Sequence, residues 1–150
     1  MLRFEHVGLR YTAGPEVLSD INLDLDPGSF HFLCGPSGSG KTSLMRLMYL
    51  GHLPTRGAMR FLGQDVSQMS RIQRTQARQK IGVVFQDFRL ISNMSVFENI
   101  ALPLRLSGMN ETHVKNSVEE LMNWVGLSDY ARSTPTILSG GQQQRVAIAR

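Results

Sequence analysis

The sequence has 150 residues, of which 41% are apolar and 19% charged, enough for one folded domain with a real core and the wrong balance for a disordered chain. A net charge of +4, from 16 basic and 12 acidic residues, suits an anionic ligand or a membrane surface and does not call for nucleic acid. With Cys34 as its one cysteine, the sequence excludes an intrachain disulfide and a cysteine metal cluster.

Leu2–Tyr11 has strand character and none of the regions of a signal peptide. Ile21, Leu23 and Leu25 alternate with Asn22, Asp24 and Asp26, the period of a half-buried strand. Pro27-Gly28 marks a turn. Ser29–Cys34 is mostly apolar and reads as a strand buried on both faces, with Cys34 a small core residue at its end. A glycine-rich loop follows, then a helix over Lys41–Leu50 that Gly51–Gly57 ends. Ala58–Leu62 is predicted as a strand, Gly63-Gln64-Asp65 as a turn and Ser70–Lys80 as a helix. Its Arg71, Arg74, Arg78 and Lys80 form a solvated face. Ile81–Phe85 reads as a second buried strand.

After Gln86 the character becomes helical. Ser95-Val96-Phe97-Glu98 matches a capping box, and Pro103 is expected to kink or end the helix it opens. Asn110 caps another, whose Val114, Val118, Leu121, Met122 and Val125 share a face and which Gly126 ends. Met45, Met48, Met122 and Trp124 are read as helix packing. No apolar run approaches the ~20 residues of a membrane span. The chain therefore reads as cytoplasmic, held to any membrane by a partner. The expected organisation is a mixed α/β part over 1–86 and a helical part over 87–150.

Gly35-Pro36-Ser37-Gly38-Ser39-Gly40-Lys41-Thr42 fits G-x-x-x-x-G-K-[ST], with a strand expected before it and a helix after it. Each residue type has a reason. Glycines let backbone N–H groups turn inward around phosphate oxygens. The helix aims its leading amides and positive dipole end at the same anion. Lys41 adds a point charge for the β- and γ-phosphates, and the Thr42 hydroxyl offers Mg²⁺ the oxygen it prefers. Ser43 stands beside it. This loop alone leaves kinase, GTPase, helicase and transporter motor open.

The discriminating segment is Leu138-Ser139-Gly140-Gly141-Gln142, followed by Gln143-Gln144-Arg145-Val146-Ala147-Ile148-Ala149-Arg150. A serine and two glycines at a helix start turn backbone donors, a hydroxyl and a positive dipole end outward. This text resembles the signature of ATP-binding-cassette ATPases. The resemblance implies an α/β P-loop NTPase fold: an antiparallel β part, a RecA-like core (incomplete here) and a helical subdomain. It implies ATP and Mg²⁺ as ligands, and a homodimer in which Leu138–Gln142 of one copy meets the γ-phosphate held by the other. Tyr11 resembles the aromatic residue that stacks on adenine. Gln86 resembles the glutamine that contacts Mg²⁺ and the attacking water and links core to helical part. Lys41 and Gln86 are thus the expected catalytic residues, and Thr42 and Gln86 the expected metal ligands.

Ser29–Leu50, Ile81–Ile91 and Glu98–Met109 further resemble the branch of the family that serves bacterial cell division. That branch implies a peripheral subunit on the cytoplasmic face of the inner membrane. It works on an integral membrane partner, contacted around Phe88–Leu106, to activate septal cell-wall hydrolases. The alternative is the ATPase of a lipoprotein-releasing or efflux transporter, which shares the motor residues. A soluble cassette acting on DNA or ribosomes does not fit, because about a hundred residues separate Lys41 from Ser139 with no cysteine cluster or heptad run. The family also implies a Walker B aspartate, a catalytic glutamate, a D-loop and a switch histidine after the signature helix. His6, His31, His52 and His113 all precede it and read as ordinary residues. The chain reads as part of a longer protein: an ATPase when intact, and as 150 residues a nucleotide binder without turnover.

Overall fold

A computed structural model describes residues 1–12 and 14–150. They form two compact units, Met1–Ile81 and Gly82–Arg150.

The first unit is built on an antiparallel sheet of strands β1 (Leu2–Arg10), β2 (Glu16–Leu25), β3 (Arg56–Phe61) and β4 (Gln64–Asp65), in the order β2-β1-β3-β4. Helices α1 (Lys41–Met48) and α2 (Arg71–Arg78) belong to the same unit. Phe4, Val7, Leu9 and Leu18 from the sheet bury themselves with Leu44, Leu47 and Leu50 from the α1 region, and with Met59 and Val66. Ile21, Leu23 and Leu25 are half-buried on β2 while their neighbours face solvent, as the alternation requires. Bulges at His6 and Asp20, both at positive φ, bring the His6 ring nitrogen 2.7 Å from the Asp20 carboxylate.

Two apolar segments depart from expectation. Ser29–Cys34 and Ile81–Phe85 run without strand pairing, and Phe30 and Phe32 are 81% and 84% exposed. A strand buried on both faces needs a neighbour on each edge and a layer on each side. The four strands among the described residues pair in the order β2-β1-β3-β4, and neither segment joins an edge of that sheet. Cys34 is accordingly exposed instead of lying in the core.

In the second unit, α3 (Val96–Leu106), α4 (Glu111–Trp124) and α5 (Gly140–Ala149) enclose Val96, Ile100, Ala101, Val114, Val118, Met122, Leu127 and Val146. Ser95 and Glu98 form the expected reciprocal cap of α3, and Asn110 caps α4 through the His113 amide. Gly126, at φ 66, closes α4: its N–H donates to the Asn123 carbonyl and the Leu127 N–H to that of Met122. Pro103 does not end α3, which continues to Leu106; proline removes one helical donor, and the packed face carries the helix across the gap. Met48 and Met122 pack as expected, whereas Met45 and Trp124 lie on outward faces, 45% and 78% exposed.

Asn99 is wholly buried on α3 and fully used. Its Oδ1 accepts from the Ile91 N–H at 2.8 Å, and its Nδ2 donates to the carbonyls of Ile91, Met94 and Ser95. One side chain therefore pins the whole approach to α3. Asn99→Ala removes this partner from the Ile91 N–H and carbonyl and the Met94 carbonyl, while the Ser95 carbonyl keeps the residue-99 amide, and it is expected to destabilise the chain by about 2–3 kcal/mol, read from urea unfolding. An unchanged midpoint would show that solvent replaces the amide.

Candidate nucleotide site

Helix α1 begins unlike the other four. Side chains of Ser70, Ser95, Asn110 and Ser139 cap α2, α3, α4 and α5. The N-cap of α1 is Gly40, left-handed at φ 89, which supplies no side-chain bond. A Cβ at Gly40 would stand 2.8 Å from Leu18 Cδ2 and 3.2 Å from the Val17 carbonyl, so close packing on β2 admits only glycine. The leading amides of α1 are left unpaired by any cap, and Lys41 at the first helical position sets a positive charge at the positive end of the dipole. Its ammonium is held in the loop instead, donating to the carbonyls of Gly35 at 2.8 Å and Pro36 at 2.6 Å. Ser37, Gly38 and Ser39 form the exposed crest between them, with the Ser39 N–H on the Pro36 carbonyl.

Thr42 is exposed on the first turn of α1, and Ser43 beside it is buried. Tyr11 donates from its hydroxyl to Ser43 Oγ at 3.1 Å and meets the His52 ring edge-on at 5.3 Å. The same phenol stands beside Arg46 and favours its charged form, raising the guanidinium pKa. Tyr11 is thereby fixed against α1, half-buried, one turn from the glycine loop.

In the second unit, Gln86 is exposed in a tight turn. The Phe88 N–H donates to the Phe85 carbonyl and the Arg89 N–H to that of Asp87 at 2.6 Å. Phe88 and Arg89 both lie at positive φ, 55 and 49. Each such non-glycine residue costs about 1–2 kcal/mol and persists where the surroundings over-determine it. Four contacts do so. The Arg89 guanidinium lies over the Phe85 ring, 4.0 Å from its centroid, and pairs with Asp87. Arg150 Nη1 donates to the Arg89 carbonyl at 2.7 Å and Nη2 to the Phe88 carbonyl at 2.9 Å. Burial lowers the pKa of this guanidinium.

Ser139 caps α5 by accepting from the Gln142 N–H, while the Gln142 side chain accepts from the Ser139 N–H. The amides of Gly140 and Gly141 remain facing outward at the helix start. Neither glycine has a positive φ, and a Cβ at either would meet nothing within 4 Å. The chain itself gives no reason for glycine at these positions. Leu138 is buried as the anchor of the segment. Thus Gly35–Ser43 with Tyr11 lie in one unit, and Gln86 with Leu138–Gln142 in the other.

Sequence reasoning missed Asn99 and Arg150. The signal for Asn99 was an amide on the apolar face of α3, at the spacing of Val96, Ile100 and Pro103. Arg150 carries no local signal, because its partners are 61 and 62 residues away. Among the described residues no three His, Cys, Asp or Glu side chains come together as a metal site.

The description of the ABC transporter family matches residues 18–150. The methionine import ATP-binding protein MetN of Chromohalobacter salexigens is 42% identical over 153 residues, covering 100% of this chain and 44% of its own. The cell division ATP-binding protein FtsE of Escherichia coli is 37% identical over 150 residues, covering 100% of this chain and 68% of its own. A dimeric ATP-binding cassette solved in a post-hydrolysis state with ADP and Pi aligns with a TM-score of 0.90 at 33% identity, over 99% of this chain and 68% of that one. The fold is that of a P-loop NTPase, an ABC nucleotide-binding domain. The chain belongs to the ABC transporter family, and it spans less than half the length of the MetN relative.

The glycines that open α5 give a direct check on the local physics. With open space around its Cβ, Gly141→Ala is expected to stabilise the isolated chain by about 0.5 kcal/mol through helix propensity. Calorimetry showing a loss of stability instead would mean that the chain does pack against this position.

Proposed function

We propose that this chain is the nucleotide-binding part of an ABC-type ATPase that drives a membrane partner. The observation that carries the reading is the uncapped start of α1, where leading amides and Lys41 converge behind a glycine loop. Such an arrangement is satisfied by a phosphate chain. The backbone of Gly35–Gly40 wraps the phosphates, Lys41 exchanges its carbonyl partners for phosphate oxygens, and Tyr11 takes the base. The exposed Thr42 hydroxyl and Gln86 carboxamide are oxygen donors suited to Mg²⁺, a cation held by few protein oxygens and the substrate's own phosphates. Magnesium, when bound, neutralises charge developing on the phosphates. Gln86 orients water.

The outward amides of Gly140 and Gly141 support a second role: α5 presents its start to the phosphates held by another copy. Its glycines let that surface approach closely, which explains residues that the chain's own packing does not need. Nucleotide then joins two copies, and hydrolysis in the intact protein parts them.

For the partner, Phe85–Leu90 and Ala101–Leu104 support a cell-division role with an FtsX-like membrane protein docking around Phe88–Leu106, as does the FtsE likeness over 68% of that relative's length. The higher identity of MetN supports a second reading, the ATPase of a transporter. In either case the site is a peripheral one beneath a membrane; no helix among the described residues is long and apolar enough to cross one.

Lys41→Ala is expected to weaken Mg-ATP binding by the 150-residue chain at least about tenfold, or about 1.4 kcal/mol, in a fluorescent-nucleotide titration. Equal affinity in the variant would sink the phosphate-loop reading. In the intact protein, Gly141→Ala is expected to abolish ATP-dependent dimerisation on a sizing column while leaving monomer binding intact; a dimer of unchanged affinity would remove the trans role. Gentle solubilisation of the tagged intact protein separates the partners: an FtsX-like protein or a permease copurifies.

A further inference from the structure

The functional reading above leaves Arg150 without a task, although its side chain makes some of the longest-range polar contacts of the second unit. We propose that Arg150 is a positioning residue for Gln86: its guanidinium fork ties the turn that carries the glutamine to the helix that carries Ser139–Gln142. The inference rests on the proposed role of Gln86 and deepens it.

The geometry is specific to arginine. Two nitrogens of one planar group reach two successive carbonyls, at 2.7 and 2.9 Å, and an ammonium cannot present that fork. The carbonyls belong to Arg89 and Phe88, the two residues held at positive φ. A turn closed by an N–H to the carbonyl two residues back, with a positive φ between them, is the rare and strained form of its kind. The fork grips the strained bonds themselves. Arg89 lies over the Phe85 ring and pairs with Asp87, and the exposed Gln86 side chain stands on the backbone that the fork holds.

Arg150 directly follows α5, whose first turn holds the outward amides of Gly140 and Gly141. A helix transmits displacement along its axis as a stiff rod, because every turn is bonded to the next. A second copy that shifts the start of α5 on docking therefore moves its far end, and with it the carbonyls on which Gln86 stands. Gln86 is placed for water when the signature helix is engaged and displaced when it is not. This gives the two contacts, nucleotide in cis and signature in trans, a physical link within one unit.

The test uses the intact protein. Arg150→Lys is expected to lower kcat for ATP hydrolysis at least about tenfold with KM for ATP within about twofold, since binding at the phosphate loop is untouched. Adding Phe88→Gly, which adopts positive φ freely and leaves the Arg89 side-chain contacts in place, is expected to recover several-fold of that loss, because the turn then needs less holding. Rescue by a glycine is not expected of a residue that merely holds the fold together. Hydrogen exchange of the unmutated protein supplies a measurement that no folding defect can spoil: the amides of Phe88 and Arg89 should open together with those of α5. A kcat within about twofold of normal in Arg150→Lys, a loss that Phe88→Gly does not relieve, or turn amides that open far faster than α5 would each overturn the proposal. Lys41→Ala is the control. If it leaves hydrolysis intact, the ATPase reading itself fails; if it abolishes hydrolysis while Arg150→Lys does not slow it, only the positioning role falls.

Discussion

A helix leaves its leading amides without partners, and how each helix start answers that demand organises this molecule. Among the described residues, four of the five α-helices answer with a serine or asparagine side chain, and the chain path around them follows from those caps. At α3, carbonyls of Ala131 and Ser133 take the Phe97 and Val96 amides as well, binding the approach to α5 onto α3. Helix α1 is left open. Gly40 replaces a capping side chain, packs where no other residue fits, and brings a lysine to the end of the dipole that disfavours it. Local stability alone would not select that combination. A polyanion would offset the open amides and the lysine charge together, which is why the proposed reading places phosphate there.

The signature helix treats the demand differently. Ser139 and Gln142 close a reciprocal cap that satisfies two donors, and the glycines between them leave two others outward. Capping fixes the direction of α5 while glycine keeps its tip free of side chains. A surface of this kind has to be stiff, to transmit force, and bare, to admit a close approach. Side-chain caps provide the first property and glycine the second.

What could be read from the sequence divides along the range of the interactions. Ser95-x-x-Glu98, Asn110 and Gly126 act within one turn of helix, and each appears where it was expected. The alternation of β2 was legible for the same reason, since burial of one face is written in the strand itself. Ser29–Cys34 and Ile81–Phe85 were not. Their apolar residues state a preference for burial, but pairing depends on which strands lie beside them, and neither segment joins an edge of the described sheet. Exposed Phe32 and Cys34 follow from the same missing ladder. Pro103 was expected to kink or end α3; it does not end it, because Val96, Ile100 and Ala101 bury the face that carries the helix on to Leu106. The candidate loop and signature were legible in full as motifs. The contacts that steady them were not: Asn99 works through backbone groups, and Arg150 through carbonyls that no side-chain pattern records.

Strain and support are distributed unevenly in a way that bears on mechanism. The turn after Gln86 stores unfavourable dihedrals at Phe88 and Arg89, the start of α1 lacks a cap, and the start of α5 carries glycines that the chain does not require. Each of these sits at a residue the functional reading uses. Around the turn and α5 stand fully satisfied features: the four bonds of Asn99, the double closure of α4 by Gly126 and Leu127, and the fork of Arg150. Stiff surroundings are what allow strained positions to persist, because a soft frame would relax them. They also make strain useful, since a contact that shifts one rigid element must move the strained turn attached to it. On the proposed reading the helical unit works as a lever, with the tip of α5 at one end and Gln86 at the other, and the fork of Arg150 is the joint between them.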